Sequence, residues 1–272
     1  MKTSYLTAAG VLLSCSSPFV SPAVAGPEPS SPTPAAVSIS VETQEFNRDF
    51  GNFRTARIEY KDVFETTTLV AAPVVGTRQS PDRRDTSVGG SLEVYQNWSP
   101  RVSTRTALFV SEGKQVFAKF DAAQDATFGI AKEVTATVGA RWAEYANGDK
   151  VLFISGGARK YFKGGSLAYR ATFTRPNGRD GYLAHLGNLS LNDGRGRGKT
   201  QLWLSYGNSS IDRSQFEGDF NGHDFGGTIR RVQPLDRKLD LVLLTGMTSY
   251  DNPAGRVWGR TLGLGLALHL GD

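Results

Sequence analysis

The chain has 272 residues, 39% hydrophobic and 21% charged, with a formal net charge of +5, 31 glycines, 12 prolines and one cysteine. A mean hydropathy of −0.30 excludes a polytopic helical membrane protein, which needs several apolar runs of about 20 residues, and a lone cysteine excludes a disulfide scaffold. Thirty-one basic residues against 26 acidic ones are too mild an excess for a nucleic-acid footprint, but suit a surface beside anionic lipid.

The first 25 residues read as a cleaved secretory signal. They carry an early Lys2, an apolar stretch from Tyr5 to Leu13 and no acid, and they close on Ala23-Val24-Ala25 before Gly26. Leu12-Leu13-Ser14-Cys15 offers a competing lipoprotein-type site that would leave a lipidated Cys15. Cleavage after Ala25 instead leaves a chain without cysteine, which fits an oxidising compartment and excludes thiol catalysis. Residues 26–36, GPEPSSPTPAA, form a Pro/Ser-rich flexible leader, and 37–272 remain as one domain.

From residue 37 onward the hydrophobic period is two, the repeat of a strand. Turn clusters cut it into segments at 37–47, 53–63, 66–78, 87–98, 101–111, 116–130, 133–146, 150–162, 165–176, 181–192, 198–209, 222–233, 238–250 and 256–270. The clearest is the last, where Leu262, Leu264, Leu266, Leu268 and Leu270 alternate with Gly263, Gly265 and Ala267. Only a strand keeps two such sets on separate faces. The connections are asymmetric: the two longest, near 78–87 and 209–222, both follow odd-numbered segments, and most even-numbered segments end in short turns. Long loops on one rim and short turns on the other mark an outer-membrane barrel. The prediction is therefore all-β, an antiparallel up-and-down transmembrane β-barrel of fourteen strands, with twelve as the alternative.

The two parities carry opposite chemistry. The apolar parity includes Trp142, Tyr169, Phe173, Tyr206 and Trp258 near segment ends, as interfacial girdles require. Arg260 breaks the outward parity of the last strand, with snorkelling at the rim and a register slip there as the two readings. The other parity carries Glu42, Arg57, Glu59, Glu93, Arg105, Lys119, Asp121, Asp125, Arg141, Arg170 and Arg230. Unpaired burial of such charges in a dry core would cost roughly several kcal/mol each, so they are expected to face a hydrated or ion-paired lumen.

No stretch carries a clear catalytic or metal-binding signature. His185, His223 and His269 are scattered without ligand spacing, so neither a metal nor a cofactor is expected. A His-Ser pair, His185 with Ser190 or Ser205, is the one route to a lipid-modifying enzyme, and no G-x-S-x-G elbow supports it. Asp193 to Lys199 (DGRGRGK) reads as a turn rather than an RNA-binding segment, and Pro81 to Asp85 as a long loop with two open readings, a solvated tip or arginines that meet phosphates of surface lipopolysaccharide. Asp219 to Asp224 lacks the layout of a calcium loop. Asp121 and Asp125 lie about 13 Å apart along one strand face, too far to share a proton.

The runs FAKFDAAQDATF (117–128), GGARKYFKGGSLAYR (156–170), DGRGRGKTQLWLSYG (193–207) and RRVQPL (230–235) resemble the YaiO family of bacterial outer-membrane β-barrels. The likeness implies a single barrel in the outer membrane and brings no catalytic residues. Implied partners are outer-membrane lipid, lipopolysaccharide and the barrel assembly machinery, although His269-Leu270-Gly271-Asp272 lacks the usual terminal aromatic of the assembly signal. The expectation is a monomeric surface barrel that binds no nucleic acid, a narrow pore or transport accessory of unspecified cargo. The alternative is a hydrolase or acyltransferase.

Overall fold

A computed structural model describes residues 35–47, 51–81, 83–114, 116–177, 181–194, 197–207, 224–251 and 255–270. The signal and nearly all of the Pro/Ser-rich leader, the long connection around 209–222 and His223 lie outside the described residues.

Fourteen strands follow one another in order: β1 (Ala36–Phe46), β2 (Asn52–Phe64), β3 (Thr67–Ser80), β4 (Arg83–Ser99), β5 (Val102–Ser111), β6 (Phe120–Ala131), β7 (Val134–Glu144), β8 (Lys150–Phe162), β9 (Gly165–Pro176), β10 (Tyr182–Asn192), β11 (Lys199–Gly207), β12 (Asp224–Pro234), β13 (Leu239–Tyr250) and β14 (Val257–His269). Each pairs antiparallel with its neighbours, and β1 pairs with β14 from Ala36↔His269 to Phe46↔Gly259. The sheet is a closed barrel of fourteen strands, not twelve, and closure leaves no free edge. Most predicted boundaries lie within two residues of the observed ones.

Two boundaries differ, and both matter. The expected long loop near 78–87 is a tight hairpin instead, because β3 runs to Ser80 and β4 starts at Arg83. The polar residues there continue the ladder, with Thr77↔Thr86 and Ser80↔Arg83 in register. The expected strand start at 116 is also displaced. Residues 112–119 leave the wall, and β6 begins only at Phe120.

The even-numbered connections remain short, with two residues at 65–66, 100–101, 132–133 and 163–164, whereas 208–223 separates β11 from β12 on the other rim. By the usual asymmetry the rim of short turns, where β1 starts and β14 ends, faces the periplasm. The outward face is apolar: Leu262, Leu264, Leu266 and Leu268 are 61%, 51%, 42% and 46% exposed. Tyr60, Phe64, Trp98, Phe128 and Phe162 ring the periplasmic side, and Phe173, Tyr206, Phe225 and Trp258 the surface side. Amphipathic aromatics settle at both edges of a hydrocarbon slab, so this distribution fixes where the acyl chains lie. Arg260 does not mark a register slip. It stays on the outward parity, opposite Glu45, near the surface rim.

Candidate functional site

The lumen holds two structures: an inward-folded loop toward the surface rim and a charged cavity beneath it. Segment 112–119 turns into the barrel rather than away from it, because Val116, Phe117 and Ala118 find apolar partners there. Val116 and Phe117 are fully buried, against Phe53 and Val74 on the β2–β3 wall and Phe109 on β5. The Phe117 ring meets Phe53 and Phe109 edge-on, with centroids 6.2 and 5.7 Å away. Gly76 makes this possible: a Cβ there would lie 2.4 Å from Phe117 Cζ. On the far side Ala118 joins Ala143, Tyr145, Val151 and Phe153. The loop thus spans the lumen between two walls, held by apolar burial and by Ser111 Oγ donating to the Ala118 carbonyl at 2.9 Å.

Below it lies a cavity of about 400 Å³, lined by alternating acids and bases. Arg105 on β5 bridges two carboxylates. Its Nε donates to Glu93 on β4 at 2.9 Å and its Nη1 to Asp125 on β6 at 3.2 Å. Asp125 also accepts from Arg170 of β9, three strands away, and Arg170 donates to Ser155 Oγ at 2.6 Å. The long reach requires Gly139 on the intervening β7, since a Cβ there would sit 2.0 Å from Asp125 Oδ1. Tyr95 completes the group by donating its hydroxyl to Glu93 at 2.8 Å. Beside it, Arg141 Nε donates to both oxygens of Asp121 at 2.8 Å, with the guanidinium 4.5 Å above the Phe153 ring. Charge-assisted bonds of this kind hold long side chains rigid. They also satisfy carboxylates that could not otherwise stay buried, Glu93 being 3% exposed.

The remaining predicted charges divide. Arg57 and Glu59 pair on β2 at 3.1 Å. Arg230 is buried on β12 and donates to Gln201 at 3.1 Å. Glu42 stands on the inward parity of β1, with neither hydrogen bond nor ion pair among the described residues. Lys119 lies one residue before β6 rather than inside a strand from 116. Its amide donates to the Glu144 carbonyl at 2.8 Å, its carbonyl accepts from the Ser111 amide at 3.1 Å, and its 62% exposed side chain reaches Glu144 at 3.9 Å. Missed by the sequence reading were Phe117 and its loop, the Tyr95 hydroxyl, and the inward cations Lys61, Arg159 and Lys199. The last three share the parity of Glu59, Tyr161 and Gln201, which was signal enough to include them.

The histidine-serine pairing fails on geometry. His185 points outward on β10, whereas Ser190 and Ser205 lie on the inward parity, so the wall separates them. His185 Nδ1 instead meets the Tyr169 hydroxyl at 2.6 Å, and His269 Nε2 meets Asp240 at 2.7 Å. At the periplasmic rim Arg197, from the turn after β10, reaches the same Asp240 at 3.1 Å and the Asp236 carbonyl at 2.6 Å. Arg231 pairs with Asp193 on that rim, so the DGRGRGK turn is tied to its neighbours by ion pairs. No group of three metal-ligating side chains exists among the described residues.

The family described as YaiO membrane beta barrel domain matches residues 35–211, which takes in three of the four runs quoted above and leaves RRVQPL beyond its end. Among solved structures, the CymD monoaromatic hydrocarbon channel is similar with a TM-score of 0.62 at 5% identity, covering 88% of each chain. A bacterial polysaccharide outer membrane secretin follows with a TM-score of 0.54 at 8% identity, covering 88% of this chain and 99% of that one. Omp33 of Acinetobacter baumannii has a TM-score of 0.51 at 11% identity over the same shares. At such identities the likeness is one of fold, and the fold is that of outer-membrane barrels.

Proposed function

The chain belongs to the YaiO membrane β-barrel family, and from that premise we propose that it is a narrow outer-membrane channel for small polar solutes, closed at rest by its 112–119 loop. The observation that carries this reading is the combination inside one barrel: an ion-lined cavity of about 400 Å³ capped by an apolar loop. A barrel whose only role was anchorage would gain more from a fully paired or apolar core than from a cavity bordered by charged side chains. The cap is held by burial of a few side chains and by hydrogen bonds at its two ends, a weaker hold than the continuous ladder of the wall, so it is the element that moves first. The similarity in fold to the CymD monoaromatic hydrocarbon channel agrees with the reading in kind, without supplying a cargo.

Planar-bilayer recording tests it. The purified protein should show rare, brief openings, and a variant in which residues 114–117 are replaced by two glycines should conduct continuously. Silence of both proteins over all voltages, with closed barrels confirmed by electrophoretic mobility, would remove the channel.

The barrel's lipid partner belongs to the same proposal. Arg54, Arg84 and Arg260 share the outward parity near the surface rim, with Glu45 as the acid among them. They are placed to meet lipopolysaccharide phosphates through paired N–H donors.

A further inference from the structure

The charge lattice around Asp125 is balanced, but the periplasmic half of the lumen is not. There the inward positions present Lys61, Arg159, Lys199 and Arg230. The two inward acids there, among the described residues, are already engaged, Glu59 with Arg57 at 3.1 Å and Asp240 with Arg197 at 3.1 Å and His269 at 2.7 Å. The sheet register sets Ser166, Ser190, Gln201 and Arg230 side by side across β9 to β12. All four are at most 7% exposed. Cations hold both ends of this polar row: Arg159 donates to Ser166 Oγ at 3.0 Å, and Arg230 donates to Gln201 Oε1 at 3.1 Å. Lys199 precedes Gln201 by two residues on the same face and has neither hydrogen bond nor ion pair among the described residues. The positive charges of Arg159 and Arg230 both reach it. Like charges gathered in a low-dielectric wall repel strongly unless a counterion joins them.

We propose that this row is a binding site for a small tetrahedral oxyanion, phosphate or sulfate in kind. The inference rests on the lumen reading above and specifies its solute class. The donor set suits that ligand. Two guanidinium groups, an ammonium and serine hydroxyls line this one stretch of wall as N–H and O–H donors, and arginine forks match oxyanion geometry. Trp203 lines the central cavity together with Arg159 and Gln201 of this row, two residues along β11 from Gln201, where an entering anion would alter its surroundings.

Trp203 makes the test direct. A protein with Trp98, Trp142 and Trp258 replaced by Phe, refolded in detergent, is titrated with inorganic phosphate, with sodium sulfate, and with potassium chloride at matched ionic strength. Saturable fluorescence changes with phosphate and sulfate are expected, and none with chloride. Lys199→Gln and Arg159→Gln should each weaken phosphate at least tenfold while the barrel keeps its heat-shifted mobility. Lack of a saturable response to either oxyanion, or unchanged affinity in Lys199→Gln, would overturn the site. Bilayer recording separates this from the channel itself. Binding with a silent bilayer refutes conduction alone, whereas conduction with neither oxyanion binding nor anion preference refutes the site alone.

Discussion

Phe117→Ala isolates the loop from the wall. The ring fills the notch over Gly76 and makes two edge-on contacts, while taking no part in any strand ladder. Truncating a buried phenylalanine costs about 3–5 kcal/mol. That loss falls on the docked loop, since the fourteen-strand hydrogen-bond network is untouched. At one power of ten per 1.4 kcal/mol, the docked-to-released ratio should fall by roughly two to three and a half powers of ten. In single-channel recording the variant should therefore pass from rare openings to a largely open state at unchanged barrel stability. The conversion temperature between unboiled and boiled gel mobilities should shift little. An open probability equal to that of the parent protein would refute the reasoning, because a loop whose main anchor can be removed without release is not held by that anchor.

The same notch predicts that Gly76→Val, whose side chain would overlap Phe117, raises open probability too, and that combining it with Phe117→Ala adds nothing further; additive effects would show two separate devices. Arg105→Gln leaves Glu93 buried without its cation, so the gel-mobility transition should drop by the equivalent of about 3–5 kcal/mol, and Glu93→Gln in the same chain should restore most of it. In the periplasmic turn, Asp236 accepts from the Lys238 and Leu239 amides at 2.7 and 2.8 Å, which holds its carboxyl below the usual range. Its stabilisation is thus complete above the ordinary carboxylate value and lost as pH falls through the lowered one. Asp236→Asn should flatten that acid limb in a stability-against-pH curve, and an unchanged limb would show that the turn is held otherwise. Tyr169→Phe deprives His185 of its lipid-side partner and should lower the transition by the equivalent of about 1–3 kcal/mol; no change would mean that water already reaches the ring.

The wall was legible in the sequence because membrane barrels write their two faces into alternate residues. The Leu262 to Leu270 series and its Gly263 and Gly265 partners specify strand, face and register at once. Where the membrane ends, the code fails. Gln79 to Thr86 are polar because the hairpin stands above the lipid, so a strand there has the composition of a loop. The opposite ambiguity hid the cap: Val116 and Phe117 are apolar because they pack inside the barrel, and that composition matches the start of a strand. The ion pairs were beyond any local reading. Asp125 and Arg170 are 45 residues apart in sequence and meet only because Gly139 leaves a gap between them.

The central claim, apolar parity in lipid and ionic parity in the lumen, is tested most directly by spin labels placed singly from position 262 to 267 on β14 of the protein in bilayers. Labels at 262, 264 and 266 should relax with lipid-soluble oxygen, and those at 263, 265 and 267 with a water-soluble nickel chelate, in strict alternation. The reverse phase, or uniform access to the chelate at every position, would contradict the account.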